Sequence, residues 1–246
     1  MALEQSTQSQ SKTASSLDYD VVIVGGNISG LTLAATLQQS NLRIAIAEAT
    51  PLESAASRDR AYAISVLSGR IFEGLDIWDE MLPNIGKFRH IRLSDGDFPQ
   101  AVAFETKDIQ SDYVGYAAEH YVLPNLALIG DAAHRCHPVG GQGLNLGIRD
   151  AAALGEVLKQ ARDRGEAVGH LNVLKQYQRW RKTENLAILG VTDLLDRSFF
   201  NQFLPMVLSR RTGIWMMQNV PPLKRFALEI MTGLKGKKPA LAMAKK

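Results

Sequence analysis

The chain has 246 residues, 46% hydrophobic and 22% charged, with a formal net charge of +3. That composition is globular, long enough for one or two domains, and neither disordered nor fibrous. So modest a positive charge, with no stacking aromatics between the basic residues, argues against a nucleic-acid partner. The single cysteine, Cys136, excludes an internal disulfide framework and fits a reducing, cytoplasmic setting.

In chain order, Met1 to Ser16 is rich in Ser and Gln, with Glu4 and no arginine. It lacks the apolar run of a signal peptide and the basic character of a transit peptide, so residues 1–17 read as a disordered tail. No uninterrupted apolar stretch has the length needed to cross a bilayer. Asp18-Tyr19-Asp20 leads into Val21-Val22-Ile23-Val24, a β-branched run predicting a buried parallel strand. Gly25 and Gly26 end it, helical spacing follows over Leu31 to Gln39, and Arg43 to Glu48 reads as a second strand. Strand, glycine turn, helix and strand make a βαβ unit. Arg60 to Phe72 predicts a loop and then a helix. His90 to Ser94 and Ala101 to Glu105 alternate like strands around the Asp95-Gly96-Asp97 and Pro99 turn, which predicts a hairpin. Asn125 to Ile129 reads as a third buried strand ending at Gly130-Asp131. A helix is expected from Gly143 to Gln160, and further helices over Leu174 to Val207 and Leu223 to Leu234, with Pro221-Pro222 between the last segments.

Two segments carry chemistry. The first is Gly25-Gly26-Asn27-Ile28-Ser29-Gly30 at the junction of strand and helix. In a dinucleotide fold the first glycine makes the tight turn and the last lets helix pack on strand. The helix N-terminus then offers unpaired N–H groups to a pyrophosphate. Glu48 closes the second strand, near the spacing of a carboxylate that binds an adenosine ribose. Asn27 stands where a middle glycine is usual; asparagine tolerates positive φ, but its side chain would crowd the phosphate. The second segment is Gly130-Asp131-Ala132-Ala133-His134, then Pro138, Gly140 to Gly147, and Asp150. An acid at a strand end can accept from a ribityl hydroxyl, and the small residues let a flat ring lie against backbone. The helix starting near Gly143 aims its N–H groups at an anionic ring edge.

Gly-Asp-Ala-Ala-His, Pro, Gly-Gln-Gly, Asn, Gly and Asp, in that order, resemble the second FAD motif of the class A flavoprotein monooxygenases, which include p-hydroxybenzoate hydroxylase. Arg58 to Ser65, Ser94-Asp95 and Gly115 to His120 narrow the resemblance to the ubiquinone-biosynthesis 2-octaprenyl-6-methoxyphenol hydroxylase family. The resemblance implies an α/β, Rossmann-like FAD-binding domain with a parallel sheet over residues 18–160. Within it, residues 88–124 form a small β-hairpin and connector in place of the substrate domain. A helical C-terminal section with a basic tail follows over 161–246. It implies FAD as cofactor and NAD(P)H as electron donor, with an oxygen atom delivered to an aromatic, prenylated ring. Gly25, Gly26, Asn27 and Gly30 would surround the pyrophosphate, with Arg60 near it. Glu48 and Ala49 would lie at the adenosine ribose, Asp131 at the ribityl chain, and Pro138, Gly141, Gly143, Leu144 and Asn145 around the flavin ring. No side chain acts as a nucleophile in such a scheme.

The chain departs from the family where His120 to Pro124 runs almost directly into the Gly-Asp strand, without the long substrate segment and its Asp-Gly motif. A catalytically incomplete flavin-binding or scaffold protein is therefore a rival reading, and a flavin-dependent prenyl-chain reductase a second. His134, Cys136 and His137 are too few for a metal site, and Cys136 reads as a small packing residue. Phe199, Phe200, Phe203, Leu204, Met206 and Val207 precede Arg210-Arg211 and Ile214 to Met217, and the end carries Lys235, Lys237, Lys238, Lys245 and Lys246. Such faces suit a peripheral membrane contact or a biosynthetic complex, or else pack on the cofactor domain.

Overall fold

The structure is a computed structural model and describes residues 18–51, 62–86, 116–135, 141–200 and 203–243. It opens with strand β1 (Val21–Val24), helix α1 (Ile28–Leu37) and strand β2 (Ile44–Ala47). β1 and β2 pair in parallel, Val21 opposite Ile44 through Val24 opposite Ala47. This is the expected βαβ unit, with boundaries shifted by one to three residues. Asp20 ties the entry of β1 to Arg43, accepting from its backbone N–H at 2.8 Å and its guanidinium at 3.2 Å.

Helix α2 (Val66–Gly74) starts at Ser65, whose hydroxyl accepts from the Ser68 N–H, and the short α3 (Trp78–Met81) follows. Two-residue strands β3 (Tyr116–Ala117), β4 (Val122–Leu123), β5 (Leu126–Ala127) and β6 (His134–Arg135) make two antiparallel pairs, β3 with β6 and β4 with β5. Helices α4 (Gln142–Asp163), α5 (Leu171–Phe200), α6 (Leu204–Asn219) and α7 (Pro221–Met231) follow. Pro205 and Pro221-Pro222 lie in the first turns of α6 and α7, where a missing N–H leaves no intrahelical bond unmade. No helix among the described residues is long and apolar enough to cross a membrane.

The main core lies between α1, α4 and α5, around Leu33, Leu37, Leu154, Val157, Leu158, Leu174 and Tyr177, and Ile23 of β1 joins it. α1 reaches α4 closely because α4 carries glycine at the crossing. A Cβ at Gly155 would come within 2.3 Å of Thr36 Cγ2, and one at Gly147 within 2.3 Å of Ser29 Oγ. A smaller core under α2 takes in Leu67, Ile71, Phe72, Ile148 and, from the C-terminal stretch, Ala242. That stretch folds back: the Ala240 N–H donates to Glu156, the Trp180 indole donates to the Lys237 carbonyl, and the Lys237 ammonium lies 3.9 Å from the Trp180 ring centroid. Lys237 is thus engaged with the protein itself.

One expectation changes. Asn125 to Ile129 is not a buried strand: Asn125 turns with φ +59°, Leu126–Ala127 pairs back on Val122–Leu123, and Leu126 is 46% exposed. A parallel strand needs a neighbour on its sheet, and no described strand lies between this segment and β1. The largely helical stretch expected from Leu174 to Val207 is observed as two helices, α5 ending at Phe200 and α6 beginning at Leu204. The hairpin expected at 90–105 and the tail 1–17 lie outside the described residues.

Overpacking at the α1–α4 crossing is the sensitive test of this core. Gly155→Ala is expected to lower stability by about 1–3 kcal/mol in urea unfolding. Combining it with Thr36→Ala should recover part of that loss, since the two sites share one contact.

Candidate functional site

β1 delivers its glycines to a turn that only glycine satisfies at two points. Gly25 has φ +107°, a conformation side chains rarely adopt, with nothing within 4 Å of the position a Cβ would take. Gly30 is needed for contact: a Cβ there would sit 2.0 Å from the Gly25 carbonyl oxygen. Asn27 is the exposed residue preceding α1, with φ −74° and no side-chain cap bond. Its tolerance of positive φ is therefore not called upon, and the turn bends at Gly25 instead.

Glu48 folds back on this turn. Its Oε2 accepts from the Gly26 N–H at 2.5 Å and its Oε1 from the Thr50 N–H at 2.8 Å. Those donors, Gly26 first, hold the carboxyl below its usual range. Ala49, next to it, is exposed.

The second motif approaches the same place from the far side of α1. Gly130, at φ +56°, opens a one-turn 3₁₀ helix, Gly130–Ala132, that presents an exposed Asp131. Ser29 of α1 packs between Gly130 and Gly147: added Cβ atoms would lie 3.2 and 2.3 Å from its hydroxyl. Gly141, at φ +58°, turns the chain into α4. Asn145, one turn in and buried, accepts the Ser65 N–H at 2.8 Å and donates to the carbonyls of Ala63 (2.9 Å) and Gly141 (2.8 Å). Its side chain thus ties the 63–65 strip to the start of α4.

A cleft of about 1250 Å³ is lined jointly by Gly25, Gly26, Asn27, Gly30, Asp131, Gly143 and Leu144, with Tyr62 at its side. Seven of the residues singled out in the sequence therefore share one cavity. Gly141, Asn145, Glu48 and Ala49 do not line it, and Arg60 and Pro138 lie outside the described residues. The α1 and α4 N-termini both carry N–H groups without intrahelical acceptors, so the cleft suits an elongated ligand with anionic character.

Behind the cleft stands a network the sequence shows only at one member. Asp150, fully buried on α4, accepts the Gly130 N–H at 3.1 Å, the Asn185 amide at 3.0 Å and the Arg181 Nε–H at 2.8 Å; His134 Nε2 lies 2.6 Å from its Oδ2. Burial works to raise this carboxyl, but the Arg181 charge and the His134 bond outweigh it, leaving it below its ordinary value. Arg181, buried as well, donates onward to Glu184 and to Asn185 Oδ1 (2.7 Å). His134 Nε2 is thus turned to the Asp150 carboxylate rather than offered to a metal, while Cys136 and His137 lie outside the described residues. Arg181, Glu184 and Asn185 were missed in the sequence. Their signal is a polar trio at i, i+3 and i+4 inside an otherwise apolar helix face.

Comparison with known proteins adds the following. Residues 98–189 match the family described as "FAD binding domain". An uncharacterized protein of Synechocystis sp. is 30% identical over 394 aligned positions, spanning 91% of this chain and 95% of the relative. Because 394 positions exceed the 246 residues available, at least 148 of them (394 less 246) have no residue in this chain. The ubiquinone hydroxylase UbiL of Rhodospirillum rubrum is 45% identical over 117 residues, 48% of this chain and 27% of its own length. The 3-demethoxyubiquinol 3-hydroxylase of Escherichia coli is 44% identical over 117 residues, 48% and 30%. The match thus spans under a third of either hydroxylase. A solved structure of BexE, titled for oxidation during BE-7585A biosynthesis, superposes with a TM-score of 0.62 at 16% identity, covering 90% of this chain and 77% of that one. The two share a fold.

Asp150→Asn is expected to lower stability by about 3–5 kcal/mol, because Arg181 is left buried without its counter-charge. The pH sign follows from the depressed carboxyl: its contribution is full above the ordinary value of 3.8 and is lost as pH falls through the lower folded value. Urea titrations between pH 7 and pH 2 should show this acid loss in the parent chain and a flatter one in the variant.

Proposed function

Because the chain belongs to the class A FAD-dependent aromatic hydroxylases, we propose that it binds FAD across this cleft, on a Rossmann-like unit, and serves the hydroxylation of a prenylated phenol in quinone biosynthesis. The observation that carries this reading is the packing of Ser29 between Gly130 and Gly147, which brings both glycine motifs onto one cavity. FAD, when bound, supplies the redox chemistry, taking electrons from NAD(P)H and activating oxygen.

The residues present fit such a ligand. The open side of Gly25 and the N–H groups of the first α1 turn receive the pyrophosphate beside Gly26, Asn27 and Gly30, with Arg60 as its further cation. Glu48 keeps the turn in shape through Gly26, and its remaining lone pairs accept from the adenosine ribose next to Ala49. Asp131, held at the cleft by the Gly130 turn, accepts from the ribityl chain. Gly143 and Leu144 direct α4 N–H groups at the ring edge where negative charge develops, and Asn145 acts by fixing the strip that carries Tyr62 and Ala63. Gly141 turns the chain into that helix, and Pro138 belongs to the same flavin-ring set by resemblance. Leu204, Leu208 and Trp215 of α6 and Phe226 and Leu228 of α7 are exposed, and give a prenylated substrate a peripheral membrane surface to arrive from.

A second reading, a flavin-binding protein without turnover within a biosynthetic complex, draws on the 148 or more aligned positions that have no residue here. A yellow protein lacking substrate-stimulated NAD(P)H oxidation selects it over the enzyme.

Incubation with FAD followed by desalting is expected to leave a structured flavin absorption band; a colourless chain overturns the proposal. In flavin-fluorescence titrations Asp131→Ala should weaken binding about tenfold, the worth of one hydrogen bond to a charged group. Asn27→Gly should tighten it by removing the side chain nearest the phosphates.

A further inference from the structure

We propose that the free edge of β1 is a docking site for one extended segment of a second polypeptide, which adds a strand between β1 and the Leu126–Ile129 segment. The backbone of β1 states the need. The Val21 N–H donates to the Arg43 carbonyl and the Gly25 N–H to the Ala47 carbonyl, both toward β2. In a parallel strand alternate residues serve opposite edges, so the N–H and C=O groups of Val22 and Val24 point away from β2. No described residue bonds to them.

The far side of that edge is a groove rather than open surface. Its walls are Asp20 to Val24 on one side and Leu126 to Ile129 on the other, above Leu154, Leu158 and Leu174. The glycine turn at the end of β1 opens into the same cavity, so the strand slot runs on into the proposed cofactor site. Val22 and Val24 are 59% and 87% exposed, an unusual state for the first strand of a parallel sheet, which normally has neighbours on its edges and faces. Bare edges of this kind are what strand addition uses.

The occupant is polypeptide of the kind the Synechocystis relative carries. That relative shares 91% of this chain, yet at least 148 positions inside the alignment have no counterpart here. The segment that docks is short, matching the four residues of β1, with apolar side chains at alternate positions to meet Leu154 and Leu158. In a second copy of this chain the two four-residue strands, β1 and β2, are already paired with each other.

The test needs no FAD, so it fails or succeeds independently of the proposed function. The full chain is mixed with a polypeptide comprising those unmatched positions of the Synechocystis relative, and hydrogen exchange is followed residue by residue. A complex is expected in which the Val22 and Val24 amides slow at least tenfold while those of Val21 and Ile23, already facing β2, change little. Val24→Pro removes an N–H that β2 does not use and should weaken the complex about tenfold. Leu126→Lys, on the opposite wall, should do the same while leaving β1 intact. Absence of a complex, or a complex without slowing at Val22 and Val24, overturns the proposal. So does slow exchange at both residues in the chain alone, which would mean that its own residues already fill the groove.

Discussion

A carboxylate buried without exposure dictates much of this molecule. Asp150 cannot remain ionised in the interior unless its oxygens are surrounded by donors and its charge is balanced. Meeting that demand requires Arg181 and Asn185 from α5, His134 from the strand after the Gly-Asp turn, and the backbone N–H of Gly130. Two segments far apart in sequence, 130–134 and 181–185, are thereby fixed to one side chain of α4. The Gly130 bond reaches the cleft, because it is made by the residue preceding Asp131, and Asp131 lines the cleft. The same carboxylate also decides the chemistry of His134: an ionised partner selects the tautomer with its proton on Nε2.

Absence of side-chain volume is the second requirement. Gly147 and Gly155 lie two turns apart on α4, opposite Ser29 and Thr36 on α1, and every one of these contacts would be closed by a single added carbon. The helices therefore run close enough for both N-termini to open on one cavity. Thr32 and Thr36 meet their own hydrogen-bonding needs locally, donating to the carbonyls of Ile28 and Thr32, so the crossing carries no unpaired hydroxyl there.

The β1–α1–β2 unit was legible because its signals are local: a β-branched run, a glycine turn and helical spacing within about thirty residues. The meeting of the two glycine motifs was also legible, through order and residue type. What sequence could not supply was which strands pair with which. Leu126 to Ile129 has the apolar character of a buried strand, yet a strand is made by its partners, and without one the chain closes into the β4–β5 hairpin. Glu48 likewise has the spacing of a ribose ligand, but its nearest donor turned out to be the Gly26 amide. Arg181, Glu184 and Asn185 escaped notice because charged residues on a helix usually face water, and only the buried Asp150 gives them a reason to face inward.

The distribution of packing explains how the glycine turn is held although β1 pairs with only one described strand. Most residues of the main core come from α1, α4 and α5, whereas β1 contributes Ile23 and leaves Val22 and Val24 outside. The glycine turn is accordingly held from the helix side, by Gly30 against Gly25 and by Ser29 against Gly130, and from β2 by Glu48. None of these contacts needs a strand on the free edge of β1. The C-terminal stretch adds to the helical half, burying Ala242 under α2 and laying Lys237 on Trp180, so part of the apparent basic tail serves packing and cation–π attraction. Helix crossings and one buried charged network therefore keep the glycine turn in shape without any further described strand beside β1.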